Sequence, residues 1–305
     1  MKQSARYLGV LGTMVILALI LVGCGSSAPS NNTGKETKSI VVKGSDTEVN
    51  MVQALAEQFH DVYPDVNISV SGGGSGSGIA ALLNGEIDIA NSSRKISQEE
   101  LDQAKAKNIE IGTFIDARDG ITVIVNPHNP IEKLTLEQLG KIYRGEITNW
   151  KEVGGKDSPI TLYGRQSNSG TFTFFRDVAV KGDYASEMRS MNGNSDIINA
   201  VAQDETAIGY VGVGYYKQAQ DQVKQVLIST DGKNYYSSTD LQAIDQKLYP
   251  LARPLYQYVR LPLTQVVRDF LTFEISEEGQ AIVEENGFYP IGPEERAISE
   301  ELLNK

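Results

Sequence analysis

Gly164-Arg165-Gln166-Ser167-Asn168-Ser169-Gly170-Thr171 is the stretch on which the fold turns. Residues 160–163 before it are β-prone and residues 171–178 after it suit a helix, so it predicts a strand-to-helix turn. The chemistry of such a turn is that of an anion cradle. A helix N-terminus carries free backbone N–H groups and the positive end of the helix dipole. Ser169 and Thr171 add hydroxyl donors there, and Gly170 lets the backbone approach a ligand with no Cβ in the way. Arg165 supplies a planar fork of donors that matches an oxyanion. The plainer reading is a helix cap beside a surface charge. It accounts for one such turn better than for several.

Three earlier stretches repeat the pattern: Gly44-Ser45-Asp46-Thr47, the glycine-rich run from Gly72 to Gly78, and Asn91-Ser92-Ser93-Arg94. Each follows a β-prone run (39–43, 66–70, 87–90) and precedes a helical one (49–63, 79–83, 98–107). In the first of these helices Val52, Leu55, Ala56 and Phe59 share a face, and Pro64 ends it. Strands alternating with helices predict an α/β fold with largely parallel sheets. Ligands of open α/β sheets bind outside the carboxyl ends of the strands, where these turns lie. Further along, strands are expected over 109–115 and 120–126, flanking Asp116-Ala117-Arg118-Asp119, and over 160–163, 207–212, 223–229 and 253–259. Helices are expected over 134–143, 195–202, 263–273, 277–285 and 294–303.

The chain has 28 basic and 39 acidic residues, a net charge of −11. Residues 1–23 read as a signal peptide: Lys2 and Arg6, then an apolar run over 8–22, with no acid. Without them the balance is 26 basic to 39 acidic, or −13. That argues against nucleic acid as a partner, which calls for a basic footprint. Any anion site must therefore be positive locally, against the global field. The roughly 280 residues that follow favour two domains over one. Two histidines and one cysteine leave little for a transition-metal site and no intrachain disulfide. No metal and no cofactor is expected.

The leader ends Leu21-Val22-Gly23-Cys24. The small residue before a lone cysteine resembles a bacterial lipobox, which implies cleavage before Cys24 and its lipidation. The apolar run is shorter than a spanning helix needs. Residues 24–37 are rich in Ser, Asn and Gly and read as a flexible tether.

Other chemistries gather less support. Gly76-Ser77-Gly78-Ile79-Ala80-Ala81 fits G-x-G-x-x-A, but a dinucleotide site wants an acid at the end of the next strand, where Asn91-Ser92-Ser93-Arg94 stands. His60 on a helix and His128 in a proline-flanked loop offer the serines no evident base. The adjacent acids Glu99/Glu100 and Glu277/Glu278 sit at helix starts, where the dipole favours them.

Taken together and in order, the four turns, Asp119-Gly120-Ile121 and Gly145-Glu146-Ile147-Thr148-Asn149-Trp150 resemble the phosphate-binding protein of the bacterial high-affinity phosphate ABC transporter, the PstS family. The resemblance spans residues 38 to about 291. It implies a two-domain, periplasmic-binding-protein-like (type II) fold, each domain a mixed, mostly parallel sheet flanked by helices, with a ligand cleft between. Residues 38–116 and 214–305 would form domain I and residues 117–213 domain II. It implies phosphate bound by Ser45, Thr47, Ser75 with the neighbouring Gly76 and Ser77, Ser93, Arg165, Ser169, Gly170 and Thr171, to which Arg94 and Asp119 are added here as candidates from the residues themselves. It implies no enzyme and no catalytic residue. The expected protein is a monomeric lipoprotein on the outer face of the cell membrane that passes inorganic phosphate to an ABC permease. The alternatives are a receptor for another tetrahedral oxyanion such as sulfate, or a surface phosphatase or adhesin on the same scaffold.

The chain departs from the family pattern twice. Well-known members carry Asp, which accepts the proton of phosphate, where Ser93 stands here, and an acid two positions after the Arg, where Ser167 stands. The favoured replacement acceptor is Asp119, at the expected hinge, with Asp46 next.

Overall fold

The computed structural model describes residues 38–305. The leader, Cys24 and the tether lie outside the described residues. Among the described residues no helix is long and apolar enough to cross a membrane.

The first part of the chain alternates as expected: β1 Lys38–Gly44, α1 Val49–Val62, β2 Val66–Ser71, α2 Ser75–Asn84, β3 Ile89–Ser92, α3 Gln98–Ala106, β4 Ile111–Gly120. There follow β5 Thr122–Val125, β6 Lys133–Thr135, α4 Leu136–Tyr143, a 3-10 turn Trp150–Val153, β7 Thr161–Arg165, α5 Gly170–Phe175 with a π-helical continuation Arg176–Val180, β8 Arg189–Met191, α6 Asn194–Gln203, β9 Ala207–Val211, α7 Val213–Gln218 and β10 Lys224–Ser229. The chain ends with α8 Leu241–Asp245, β11 Ala252–Arg260, α9 Gln265–Glu274, α10 Glu277–Glu285 and α11 Pro293–Leu303.

Two sheets result, ordered β2-β1-β3-β11-β4 and β6-β10-β5-β9-β7-β8. Both are mixed. In the first, β1 runs parallel to β2 and β3 while β11 is antiparallel to β3 and β4. In the second, β6/β10, β7/β9 and β7/β8 are parallel, and β5 is antiparallel to β9 and β10. Each sheet thus keeps its parallel βα units and takes in antiparallel strands where the chain returns.

The expected apolar face of α1 is buried, with Met51 added to Val52, Leu55, Ala56 and Phe59. Phe59 packs against Phe270 of α9, ring centroids 5.2 Å apart in an edge arrangement, which ties α1 to α9. In the second sheet's lobe Trp150 is buried and donates to Thr206 O at 2.9 Å.

Two expectations need correction. Residues 111–120 form one strand rather than a strand and a break. Leu255 pairs with Ala117 and Tyr256 with Ile115, so Asp116 is the extra residue of a β-bulge. An acid-rich stretch reads as a turn, yet here each acid is sealed in by β11. The second correction concerns the crossings. The chain leaves the first sheet at Gly120 and enters the second at Thr122, later than the expected 116/117. It returns between β10 and β11, not at 213/214, because β10 hydrogen-bonds to β5 and β6. Tyr249 Oη donates to Ile121 O at 2.6 Å and ties the two crossings together.

Candidate functional site

The carboxyl ends of β1, β2, β3 and β7 bring all four turns together. Thr47 Oγ1 lies 2.8 Å from Thr171 Oγ1, Thr171 Oγ1 lies 3.3 Å from Ser93 Oγ, and Ser93 Oγ lies 3.4 Å from Ser75 Oγ. Ser75 opens α2, and its Oγ also accepts the Ser93 N–H at 3.1 Å. Ser45, Thr47, Ser75, Ser93, Ser169 and Thr171 are all buried. Gly170 allows this closeness: a Cβ there would stand 2.3 Å from Ser75 Oγ and 2.7 Å from Ser93 Oγ. Ser169 caps α5, accepting Phe172 N–H at 3.4 Å.

Two arginines serve this cluster. Arg165, at the end of β7, is fully buried. Tyr210 Oη accepts its backbone N–H at 3.2 Å, and Tyr210 is held by Phe175, stacked at 4.0 Å. Arg165 Nη2 donates to Asn192 O at 2.9 Å. Its Nη1 makes no hydrogen bond among the described residues and lies 3.4 Å from Asp46 Oδ2. Burial lowers the Arg165 pKa, and the Asp46 charge opposes that. Arg253, the second residue of β11, was not singled out from the sequence. Its Nη1 donates to Ser93 O at 2.8 Å and its Nη2 to Thr171 Oγ1 at 3.0 Å. The available signal was a charged residue early in an aromatic-rich strand, a weak one.

Asp119 is not free to accept from a ligand. Its Oδ2 takes Arg253 Nε at 3.1 Å and Nη2 at 2.8 Å, and its Oδ1 takes Val213 N–H at 2.9 Å. It is a strut between the two sheets' lobes that aims Arg253. Asp46, the next choice, is also engaged: Oδ2 accepts Asn194 N–H at 2.9 Å and Nδ2 at 2.8 Å, at the start of α6. The acid missing at Ser167 is thus replaced near Arg165 by one from the opposite lobe.

Arg94, Gly76 and Ser77 also differ from expectation. Arg94 forms a two-point pair with Glu100, at 2.8 and 2.7 Å, and donates to Lys95 O. That pair raises its pKa. The cause is local: Glu100 closes the capping box of α3 six residues on and captures the guanidinium. Gly76 N–H donates to Asn168 O at 3.0 Å, and Ser77 Oγ accepts Asn168 Nδ2 at 2.8 Å. These two residues, with Asn168, join the lobes rather than the hydroxyl cluster. Gly74, at φ +98, shapes that seam.

The histidines lie elsewhere. His60 Nδ1 is 3.0 Å from Val66 O, and His128 is exposed beside Glu205. Among the described residues no group of three or more His, Cys, Asp or Glu is arranged to hold a metal ion. What the cleft offers is hydroxyls and one unsatisfied guanidinium edge, a donor set that fits a small oxyanion.

Comparison with known proteins agrees with that chemistry. Residues 29–278 match the family described as PBP superfamily domain. A phosphate-binding protein PstS of Staphylococcus haemolyticus is 33% identical over 298 residues, covering 93% of this chain and 92% of its own. Among solved structures, a candidate phosphate ABC transporter substrate-binding protein with bound phosphate from Clostridium perfringens is 32% identical at a TM-score of 0.76, covering 84% of this chain and all (100%) of that one. An ABC-type phosphate transport receptor from Vibrio cholerae is 29% identical at a TM-score of 0.68, covering 83% and 100%.

Proposed function

The chain belongs to the PstS family of phosphate-binding proteins, within the PBP superfamily, and on that premise we propose that it captures inorganic phosphate between its two lobes and hands it to an ABC permease. One observation carries the reading: the buried hydroxyls from both lobes converge beside Arg165, whose Nη1 has no hydrogen-bond partner among the described residues. Ser45, Thr47, Ser75, Ser93, Arg165, Ser169, Gly170 and Thr171 would surround the anion, with Arg253 holding Ser93 and Thr171 in place behind them. A hydrogen bond to a charged group contributes roughly 1.5–3 kcal/mol net, so several such donors can replace the phosphate hydration shell.

The lobes would be residues 38–120 with 252–305, and residues 122–229, moving about the two crossings. The protein would do no chemistry, since neither histidine stands near the hydroxyls. Cys24 would be lipidated and hold the protein on the outer face of the membrane as a monomer. Cys24→Ala should then move it to the soluble fraction; unchanged fractionation would refute the anchor.

Isothermal titration with phosphate and with sulfate, alongside a phosphatase assay, tests the central reading. Tight phosphate binding with weak sulfate binding and no turnover is expected. Equal sulfate affinity would make the site a general dianion receptor, and phosphate release from an ester would make it an enzyme.

A further inference from the structure

At the mouth of the cleft one side chain of the second lobe holds the first. Asn168 stands in the loop between β7 and α5, one residue before the Ser169 cap. Its Nδ2 donates to Gly73 O at 2.8 Å and to Ser77 Oγ at 2.8 Å, and its backbone O accepts Gly76 N–H at 3.0 Å. A carbonyl only accepts, so Gly73 fixes which way the amide faces. The two loops pass so close that a Cβ on Gly74 would stand 2.9 Å from Asn168 O, and one on Gly76 3.3 Å from it. The clasp is an outer layer. Asn168 and Gly73 are exposed and line a groove of about 510 Å³ with Asp46, Gln166 and Asn192. Ser75, two residues after Gly73, and Ser169, next to Asn168, are buried.

Lobes that part about the two crossings break all three bonds, so the clasp exists only while they are together. Thr47, Ser75, Arg165 and Thr171 are each at most 1% exposed. Nothing joined to an anion among them has a way out while the clasp is shut. A bare tetrahedral oxyanion fits inside such a wall. A phosphate ester carries carbon on one oxygen, and that carbon must pass through it. The seam at Asn168 is a short way out, because exposed Asn168 adjoins buried Ser169 and opens on the groove. We propose that Asn168 is a specificity-determining clasp, shut over a free oxyanion and kept open by a phosphate ester. The proposal rests on the phosphate reading above. Only a ligand that lets the clasp shut gains the two side-chain bonds, so their contribution enters phosphate affinity and not ester affinity.

Isothermal titration of the whole mature chain decides it, with phosphate titrated directly and methyl phosphate measured by competition against it. Asn168→Ala removes both side-chain bonds and keeps the backbone one, so phosphate affinity should fall about five- to tenfold. Methyl phosphate affinity should stay near wild type, so the preference for phosphate narrows by the same factor. Ser77→Ala removes one bond and should give a smaller loss of the same kind. Combined with Asn168→Ala it should add nothing, since the two share that bond. A residue that merely supports the fold would weaken both anions alike, and equal losses overturn the proposal. So does an unchanged phosphate affinity in Asn168→Ala, or a wild type that binds methyl phosphate as tightly as phosphate. If Asn168→Ala does not fold, Ser77→Ala is judged by the same ratio of affinities. Wild type that binds no phosphate overturns the phosphate reading itself, and is recognised by the absence of any binding heat.

Discussion

The cleft holds two buried arginines, one on each side, and they are built differently. On the first-lobe side Arg253 is saturated: Asp119 twice, Ser93 O and Thr171 Oγ1. On the second-lobe side Arg165 keeps Nη1 without a hydrogen bond, 3.4 Å from an acid that belongs to the other lobe. A saturated buried cation with a matched carboxylate is a framework element. A buried cation with a spare donor is destabilised until something negative meets it, and burial does lower the Arg165 pKa. The contrast teaches that burial alone does not single out a candidate ligand group; the unspent donor is what distinguishes Arg165 from Arg253.

The comparison breaks most visibly at Arg253. Arg253→Ala leaves Asp119 buried without its counter-charge, so a loss of about 3–5 kcal/mol in stability is expected. Denaturant unfolding of ligand-free protein measures it, and a loss below ~1 kcal/mol would put Arg253 with Arg165 as a ligand group rather than a strut. Arg165→Ala should do the opposite. Phosphate affinity should fall at least tenfold, about 1.4 kcal/mol, while the ligand-free melting temperature stays near wild type. Unchanged affinity by titration would remove Arg165 from the site.

Asp46→Asn sharpens the contrast at smaller scale. Asparagine keeps an oxygen for the Asn194 donors but removes the charge beside Arg165. The lobes should open more readily without ligand, seen as a larger radius in small-angle scattering, with a severalfold faster phosphate release. An unchanged radius and release rate would show that Asp46 does not latch the lobes.

The last expected effect is on pH dependence. The Asp116 pKa, raised by burial to about 7 from 3.8, means the folded state binds a proton more tightly than the unfolded chain. Its contribution is fully present below the unfolded value and is lost as pH rises through the folded one. Stability should therefore decline between about pH 4 and pH 7. Asp116→Asn should flatten part of that decline, because Glu48 and Glu274, also fully buried and raised by that burial, still titrate. A decline as steep as wild type would place the proton on the other two.

How much of this was legible in the sequence follows from how local each feature is. The β-prone runs, the apolar face of α1 and the glycine-bearing turns are patterns within about 15 residues, and they located β1, β2, β3, α1 and all four turns that supply the hydroxyl cluster. Arg94 failed for a local reason: Glu100, six residues away, closes a capping box and takes the guanidinium. Asp119 failed for a distant one, because its partner Arg253 is 134 positions away.

From the sequence by itself come the alternation of strands and helices, the hydroxyl- and glycine-rich chemistry of the turns, the acidic balance of the chain, and the family resemblance. These depend on residue type and short spacing, which a linear chain displays. Only the tertiary structure decided which side chains the turns leave unpaired. Asp46 and Arg165 meet across two lobes, Arg253 is drawn from the last strand into the first half of the cleft, and three carboxyls are sealed where β4 bulges against β11. Such pairings join segments a hundred residues and more apart, and their energetics follow from burial. Residue identity without position does not contain that quantity.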